Sequence, residues 1–441
     1  MAGVHPFFTV LMSLAALAAT PAAAQQPAAA PLPDARTHIQ TPAEALAQDA
    51  GEYARTFAVP LDEAERRLQA QEETVALTTQ LARLYADRLA GIAVEHRPTF
   101  RIVVLLTGDE PVPGETVRAG GMDVPVEFRT GAAATRAQIV AAIKQHQAEI
   151  RAALPHPPGL GVDQRTGELV AIISGSDVDL YGKDALTAQF AQTTGVPVRI
   201  RAIDRTGLDL ADPEAPDVDG GARVVGVNPA DGLHYACTTG FAVTDGARSG
   251  IVTAAHCPDT LSLIGPGRRA LPLSFVGQWG WGYQDVQVNV SETALAPLFY
   301  ADTAKTLARP VTHARALAST RAGDFVCHRG ERTGYSCSTV ELVDFAPAGD
   351  LCGGACLPTW VTASGPTCKG GDSGAPVFTG RTAIGIVKGG SYRGDGSCAF
   401  YFYMSTDYLP DGWSLLEQPL PTVQPLPADT PEATNLTRSP W

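Results

Sequence analysis

The sequence predicts two unlike parts in series, an α+β region followed by an all-β domain over 222–415. Three observations carry this. Apolar residues recur at helical spacing in the first part, but from Ala222 onward short β-branched and aromatic runs alternate with Gly, Pro and Asp turns. All eight cysteines lie between Cys237 and Cys398. Between the parts, residues 205–221 are rich in Asp, Gly and Pro and read as an exposed linker.

Taken in order, Phe7 to Ala19 is apolar but too short to span a bilayer. Ala22-Ala23-Ala24 supplies small residues for cleavage, so residues 1–24 are expected to be a secretory signal peptide. No Lys or Arg precedes the apolar run, and a hydrophobic terminal anchor is the competing reading. Residues 25–36 form an Ala-, Pro- and Gln-rich leader. Thr41 with Glu44 makes a capping box, and Pro42 suits the first helical position. Leu61 to Leu89 continues the helical period, so about 37–95 is expected to be helical. Within about 99–204, Phe100–Leu106, Val124–Phe128, Leu169–Ser174 and Val196–Ile203 read as strands. Ala134–Leu154 and Asp184–Gln192 read as helices. Downstream, Phe241–Val243, Ile251–Thr253, Val286–Val290 and Thr382–Val387 read as strands. Residues 416–441 are a Pro-rich tail for which poor order is expected.

Composition excludes several classes. A chain that is 45% hydrophobic and 18% charged is globular rather than disordered or membrane-embedded. A formal charge of −13, with no basic run, argues against a nucleic-acid partner. No later stretch is apolar enough for a membrane span, and the upstream half is the more acidic one. An even number of cysteines confined to one region of an exported chain reads as disulfides. A zinc site is the alternative, but the spacings form no paired knuckles, so no metal is expected.

Two strings suggest chemistry. Thr253-Ala254-Ala255-His256-Cys257 holds a histidine, and Gly371-Asp372-Ser373-Gly374 holds a serine between glycines. A serine hydroxyl is a weak nucleophile until an imidazole takes its proton. Ser373 is therefore the candidate nucleophile and His256 the candidate base. Asp285 opens the alternating strand Val286–Val290, where a carboxylate can project inward and orient the imidazole. Asp302 and Asp324 lack that context. The backbone N–H groups of Gly371 and Ser373 are the candidate oxyanion donors.

From about Ala222 to Leu409 the chain resembles the chymotrypsin-like serine peptidases, and among them the secreted bacterial branch of α-lytic protease and the streptogrisins. The resemblance rests on Thr253–Cys257, Asp285–Val288, Val326–Gly330 through Thr333–Cys337, Gly371–Gly374 and Gly385–Gly390. The order His256, Asp285, Ser373 is that of the family. It implies two antiparallel β-barrels with the site between them, and substrate pairing along Lys388, Gly389 and Gly390. It also implies bridges Cys237–Cys257, Cys327–Cys337 and Cys368–Cys398, leaving Cys352–Cys356 as a local pair. Such enzymes act on peptides or proteins without a cofactor, are secreted, and are expected as monomers. The upstream half matches, in position and size, a pro-region that assists folding and then inhibits. Ala222-Arg223-Val224-Val225-Gly226 resembles a mature start, so 25–221 is the expected pro-region.

Three departures stand out. Lys388 occupies the place of a serine that supports the catalytic aspartate; outward exposure is the favoured reading, pairing with Asp285 the alternative. His328, followed by Arg329, occupies the place of a cation that pairs with the aspartate beside the nucleophile, here Asp372. The segment Cys368–Gly371 is one residue short. Phe400 or Tyr401 filling the primary pocket would favour small residues, and Lys369 would favour acidic ones. A non-catalytic binding protein on the same fold and a latent complex held by the upstream half are the alternatives to an active endopeptidase.

Overall fold

The computed structural model describes residues 37–208, 222–229, 231–264, 270–292, 294–365 and 367–418. The expected signal peptide, leader and cleavage at 221, and all but the first three residues of the tail, lie outside the described residues.

The Thr41–Glu44 capping box starts the helix Pro42–Phe57: the Thr41 N–H donates to Glu44 and the Glu44 N–H to the Thr41 hydroxyl. Helices Leu61–Glu73 and Val75–Leu84 follow. The expected helical stretch to 95 ends early, because Leu89–Glu95 is a strand. This Leu-Ala-Gly-Ile-Ala-Val run is buried on both faces, and periodicity cannot distinguish such a strand from a buried helix. It heads a four-stranded sheet with Arg101–Thr107, Met122–Ala132 and Glu115–Ala119. Then come helix Arg136–Ala152, strands Gly159–Asp163 and Glu168–Ser174, helices Gly175–Tyr181 and Lys183–Thr194, and strand Val198–Ile203. Among the described residues no helix is long and apolar enough to cross a membrane.

The downstream domain is all-β in two antiparallel halves. In the first, a four-stranded sheet orders His234–Thr238, Arg223–Val227, Leu261–Ile264 and Ala270–Pro272. A five-stranded sheet orders Ser274–Trp279, Val286–Val290, Ser249–Thr253, Ala242–Thr244 and Ser414–Leu415. The second half closes on itself. Phe325–Gly330 pairs with Pro376–Thr379, then Thr382–Tyr392, Cys398–Ser405, Trp360–Ser364 and Gly334–Ala346, which returns to Phe325–Gly330. The circuit closes, but the far end of Thr382–Tyr392 runs past its pairing with Pro376–Thr379, which ends at Ile386.

The two parts share a sheet and a core. Val162 and Leu160 register with Val343 and Ala346, so the upstream strands extend the barrel sheet. Tyr53 packs edge-on against Phe325, with ring centroids 5.1 Å apart. The linker expectation needs correction at its start. Arg205–Leu208 is a strand, antiparallel to Gly389–Tyr392, with Leu208 opposite Gly389 and Gly207 opposite Gly390.

Candidate active site

His256 lies in the turn after strand Ser249–Thr253, and three restraints hold that turn. The Cys237–Cys257 bridge clamps its far end. Gln287 Nε2 donates to the Cys257 carbonyl at 2.9 Å, and the Thr253 hydroxyl donates to the Thr238 carbonyl at 2.7 Å. Asp285 directly precedes strand Val286–Val290, which pairs with Ser249–Thr253 and so carries the carboxylate to the imidazole. Ser373 sits in the turn before Pro376–Thr379. Gly374, with φ +86°, completes that turn; a Cβ there would lie 2.2 Å from Thr253 Oγ1. Only glycine allows so close an approach of the chains of the two halves.

These elements bring the three residues into one line. His256 Nε2 is 2.8 Å from Ser373 Oγ. His256 Nδ1 is 2.7 Å from Asp285 Oδ2, and the His256 backbone N–H donates to Asp285 Oδ1 at 3.2 Å. Burial pushes the Asp285 carboxyl up, but the charges and hydrogen bonds of His256 and Lys388 outweigh it and hold the group down at about 2. Among the described residues neither the Gly371 nor the Ser373 N–H has an acceptor. Their carbonyls are fixed by Thr238, whose hydroxyl donates to Gly371 O at 2.7 Å and whose N–H donates to Ser373 O at 2.9 Å.

Lys388 does not turn outward. Its Nζ lies 3.1 Å from Asp285 Oδ2 and 5.0 Å from the centre of the Trp360 ring. Strand Thr382–Tyr392 is buried along its whole length, so neither of its faces leads to solvent. The Lys388 carbonyl oxygen lies 3.3 Å from Ser373 Oγ. Gly389 and Gly390 lie opposite Leu208 and Gly207.

Neither His328 nor Arg329 bonds Asp372. Arg329 donates to the carbonyls of Asp302 and Thr303, and the His328 ring packs tilted at 51° to that of Tyr401, with centroids 4.6 Å apart. Asp372 accepts instead from the Thr333 hydroxyl at 2.8 Å and from the N–H groups of Arg332, Thr333 and Lys369. Gly330 leaves room for this, since a Cβ there would lie 2.0 Å from Asp372 Oδ1. Sequence reasoning missed Thr333, Thr238 and Trp360. Thr333 stood within a quoted string, but only the folded turn shows its target.

Of the weaker acid candidates, Asp302 caps its own turn by accepting from Thr306 and Leu307, while Asp324 is buried against Arg315 and Arg321. The sulfurs pair as Cys237–Cys257, Cys327–Cys337, Cys352–Cys356 and Cys368–Cys398. Near the expected primary pocket, Phe400 and Tyr401 are both buried, and Lys369 is exposed.

No family model matches the chain. Streptogrisin-C of Streptomyces griseus is 30% identical over 176 residues, which is 37% of this chain and 33% of that protein. The match thus spans a third of the length of that curated relative. Among solved structures, Thermobifida fusca Protease A is 23% identical with a TM-score of 0.36, over 46% of this chain and 99% of that one. Nocardiopsis protease is 23% identical with a TM-score of 0.33, over 43% of this chain and 93% of that one. Cellulomonas bogoriensis chymotrypsin is 21% identical with a TM-score of 0.34, over 46% of this chain and 100% of that one. The chain is similar to bacterial chymotrypsin-like serine peptidases.

Proposed function

We propose that the chain is a secreted serine endopeptidase made as a preproenzyme, with residues 25–221 serving as a pro-region that helps the peptidase domain fold and then inhibits it. The observation that carries the reading is the unbroken hydrogen-bonded line from Ser373 through His256 to Asp285, beside two backbone donors that have no acceptor among the described residues.

Ser373 Oγ attacks the peptide carbonyl carbon as its proton passes to His256 Nε2. Asp285 Oδ2 accepts the Nδ1–H, fixes the tautomer and stabilises the imidazolium. The negative oxygen forms against the N–H groups of Gly371 and Ser373, each worth about 3 kcal/mol in comparable sites. His256 then protonates the leaving amine, and an acyl-enzyme on Ser373 remains. Water, deprotonated by the same imidazole, releases the acid and restores the hydroxyl. Lys388, Gly389 and Gly390 would pair with substrate through their main chain.

A specific contact favours the pro-region reading. The strand Arg205–Leu208 lies along Gly389–Tyr392, and the Thr206 hydroxyl meets that of Ser391 at 2.8 Å. An extended peptide added to this edge occupies the place a substrate would take. The upstream half also continues the barrel sheet through Val162 and Leu160, which supports a role in assembling that barrel. The same contacts favour a latent complex if the chain remains uncut.

Expression of the full chain beside Ser373→Ala tests the reading. The wild type is expected to shorten itself and to cleave an unbiased peptide library; Ser373→Ala is expected to stay intact, with turnover lower by roughly 10⁶-fold. A wild type that stays full length and leaves the library uncut, as Ser373→Ala does, overturns it.

A further inference from the structure

The side chain of Lys388 and the imidazole of His256 converge on the same carboxylate oxygen. Asp285 Oδ2 lies 2.7 Å from His256 Nδ1 and 3.1 Å from Lys388 Nζ, and the Lys388 and Asp285 side chains are each 1% exposed. The ammonium is therefore desolvated and held between one anion and one aromatic face, that of Trp360. The same residue's carbonyl meets the Ser373 hydroxyl. Lys388 thus touches the acid end of the line with its side chain and the nucleophile end with its main chain.

Among the described residues, several elements bring groups to or near Asp285. The turn after Ser249–Thr253 brings His256, and strand Thr382–Tyr392 brings Lys388; these are the two charged groups that act on it. Strand Trp360–Ser364 brings the uncharged Trp360, whose ring faces the Lys388 ammonium. Strand Cys398–Ser405 brings Met404, whose sulfur accepts the Asp285 N–H. A neutral donor at position 388 would leave the full negative charge of Asp285 facing the imidazole. A cation there makes the Asp285–Lys388 pair neutral overall, so less of the Asp285 charge is felt at the imidazole.

We infer that Lys388 is a positioning residue that offsets the charge of Asp285 and thereby extends the working range of the Ser373–His256 pair toward acid pH. The inference rests on the peptidase reading. It needs no step beyond that mechanism: the proton still moves from Ser373 to His256, and Lys388 takes no part in the transfer.

The test follows the second-order rate at which a small fluorophosphonate labels Ser373, as a function of pH. This readout reports the activated serine without knowledge of the preferred peptide. It is applied to protein obtained by expressing the full chain, with Ser373→Ala as blank. In Lys388→Gln and Lys388→Ser the acid limb of the rate profile is expected to move up by about one pH unit. In Lys388→Arg, which keeps the charge, the limb is expected to stay with wild type, whatever the absolute rate. Labelled protein with coincident limbs in all variants overturns the inference and leaves the peptidase reading intact. Wild type that takes no label overturns both. Neutral variants that yield no folded protein while Lys388→Arg folds would make the residue merely structural, and that too overturns the inference.

Discussion

Asp49, from the first upstream helix, forms a two-pronged ion pair with Arg309 of the β domain: Arg309 Nη2 donates to Oδ1 at 2.9 Å and Nη1 to Oδ2 at 3.0 Å. Both groups are buried, and the Tyr335 hydroxyl and the Gly380 N–H donate to the same carboxylate. The Arg309 guanidinium also lies 5.3 Å from the centre of the Phe378 ring. Removing one partner leaves the other charge dry and unpaired, which costs about 3–5 kcal/mol. Asp49→Ala, made in Ser373→Ala so that the chain stays whole, is expected to lose that much in urea unfolding. Asp49→Leu with Arg309→Met is expected to recover most of it, because no charge is then stranded. A single variant within 1 kcal/mol of its parent would contradict this.

The strand Arg205–Leu208 gives a prediction local to the proposed substrate edge. Proline at position 206 removes a backbone donor and fixes φ, so it disrupts antiparallel pairing with Ser391. In Thr206→Pro on the Ser373→Ala background, amide exchange in 388–393 is expected to accelerate, with no change in Trp360–Ser364. Equal protection of 388–393 in both proteins would mean that the upstream strand does not cover this edge.

His96 ties acid stability to the contact between the two parts. Its Nε2–H donates to the Gly323 carbonyl at 2.7 Å, and its Nδ1 accepts from the Tyr53 hydroxyl at 2.7 Å. Burial is the main cause that holds its pKa down at about 4, although the Gly323 hydrogen bond opposes it. In the unfolded chain an ordinary histidine titrates near ~6.5. Above that value both states are neutral, and His96 adds no pH dependence. Between ~6.5 and about 4 the unfolded state binds the extra proton, so stability falls as pH falls, by about 3 kcal/mol in total. Melting of Ser373→Ala at pH 7 and pH 4.5, with and without His96→Gln, reads this directly. The glutamine variant is expected to be less stable at pH 7 and to lose less on acidification; parallel losses would rule out His96 as a cause.

The residues brought into one line at the site were legible because short strings name them. His256 and Ser373 each sit among small residues that leave few other readings, and Asp285 opens an alternating strand. Lys388 was not legible. Inside-or-outside reasoning along a strand needs one face to meet water, and Thr382–Tyr392 is buried throughout. Arg205–Leu208 failed for the complementary reason: its composition is that of a linker, and the edge it pairs with lies far along the chain. Leu89–Glu95 shows the same limit within one element, since a run covered on both sides carries no period. Asp49–Arg309 joins residues 260 positions apart, and no local pattern marks such a pair.

Thr333 offers the sharpest test of how the serine loop is held. Asp372 is buried beside Ser373 and is satisfied by one hydroxyl and three backbone N–H groups rather than by a cation. Behind that hydroxyl stands His328, whose Nε2 meets Thr333 Oγ1 at 3.3 Å. Burial keeps the His328 imidazole below its ordinary pKa, with Asp372 pulling it up and Arg329 pushing it down. Neutral His328 donates to Thr333, and Thr333 donates to Asp372. A hydrogen bond to a charged group is worth about 1.5–3 kcal/mol. If Asp372 aligns the oxyanion donors, Thr333→Val is expected to lower kcat on fluorescent casein by roughly 10- to 100-fold, and Thr333→Ser to restore most of it. Because His328 is already neutral near pH 7, His328→Gln is expected to leave the shape of the pH–kcat profile unchanged above pH 7. A profile whose midpoint moves with His328→Gln would make that histidine a switch after all. Thr333→Val that loses stability but not kcat would separate the Asp372 anchor from the oxyanion site.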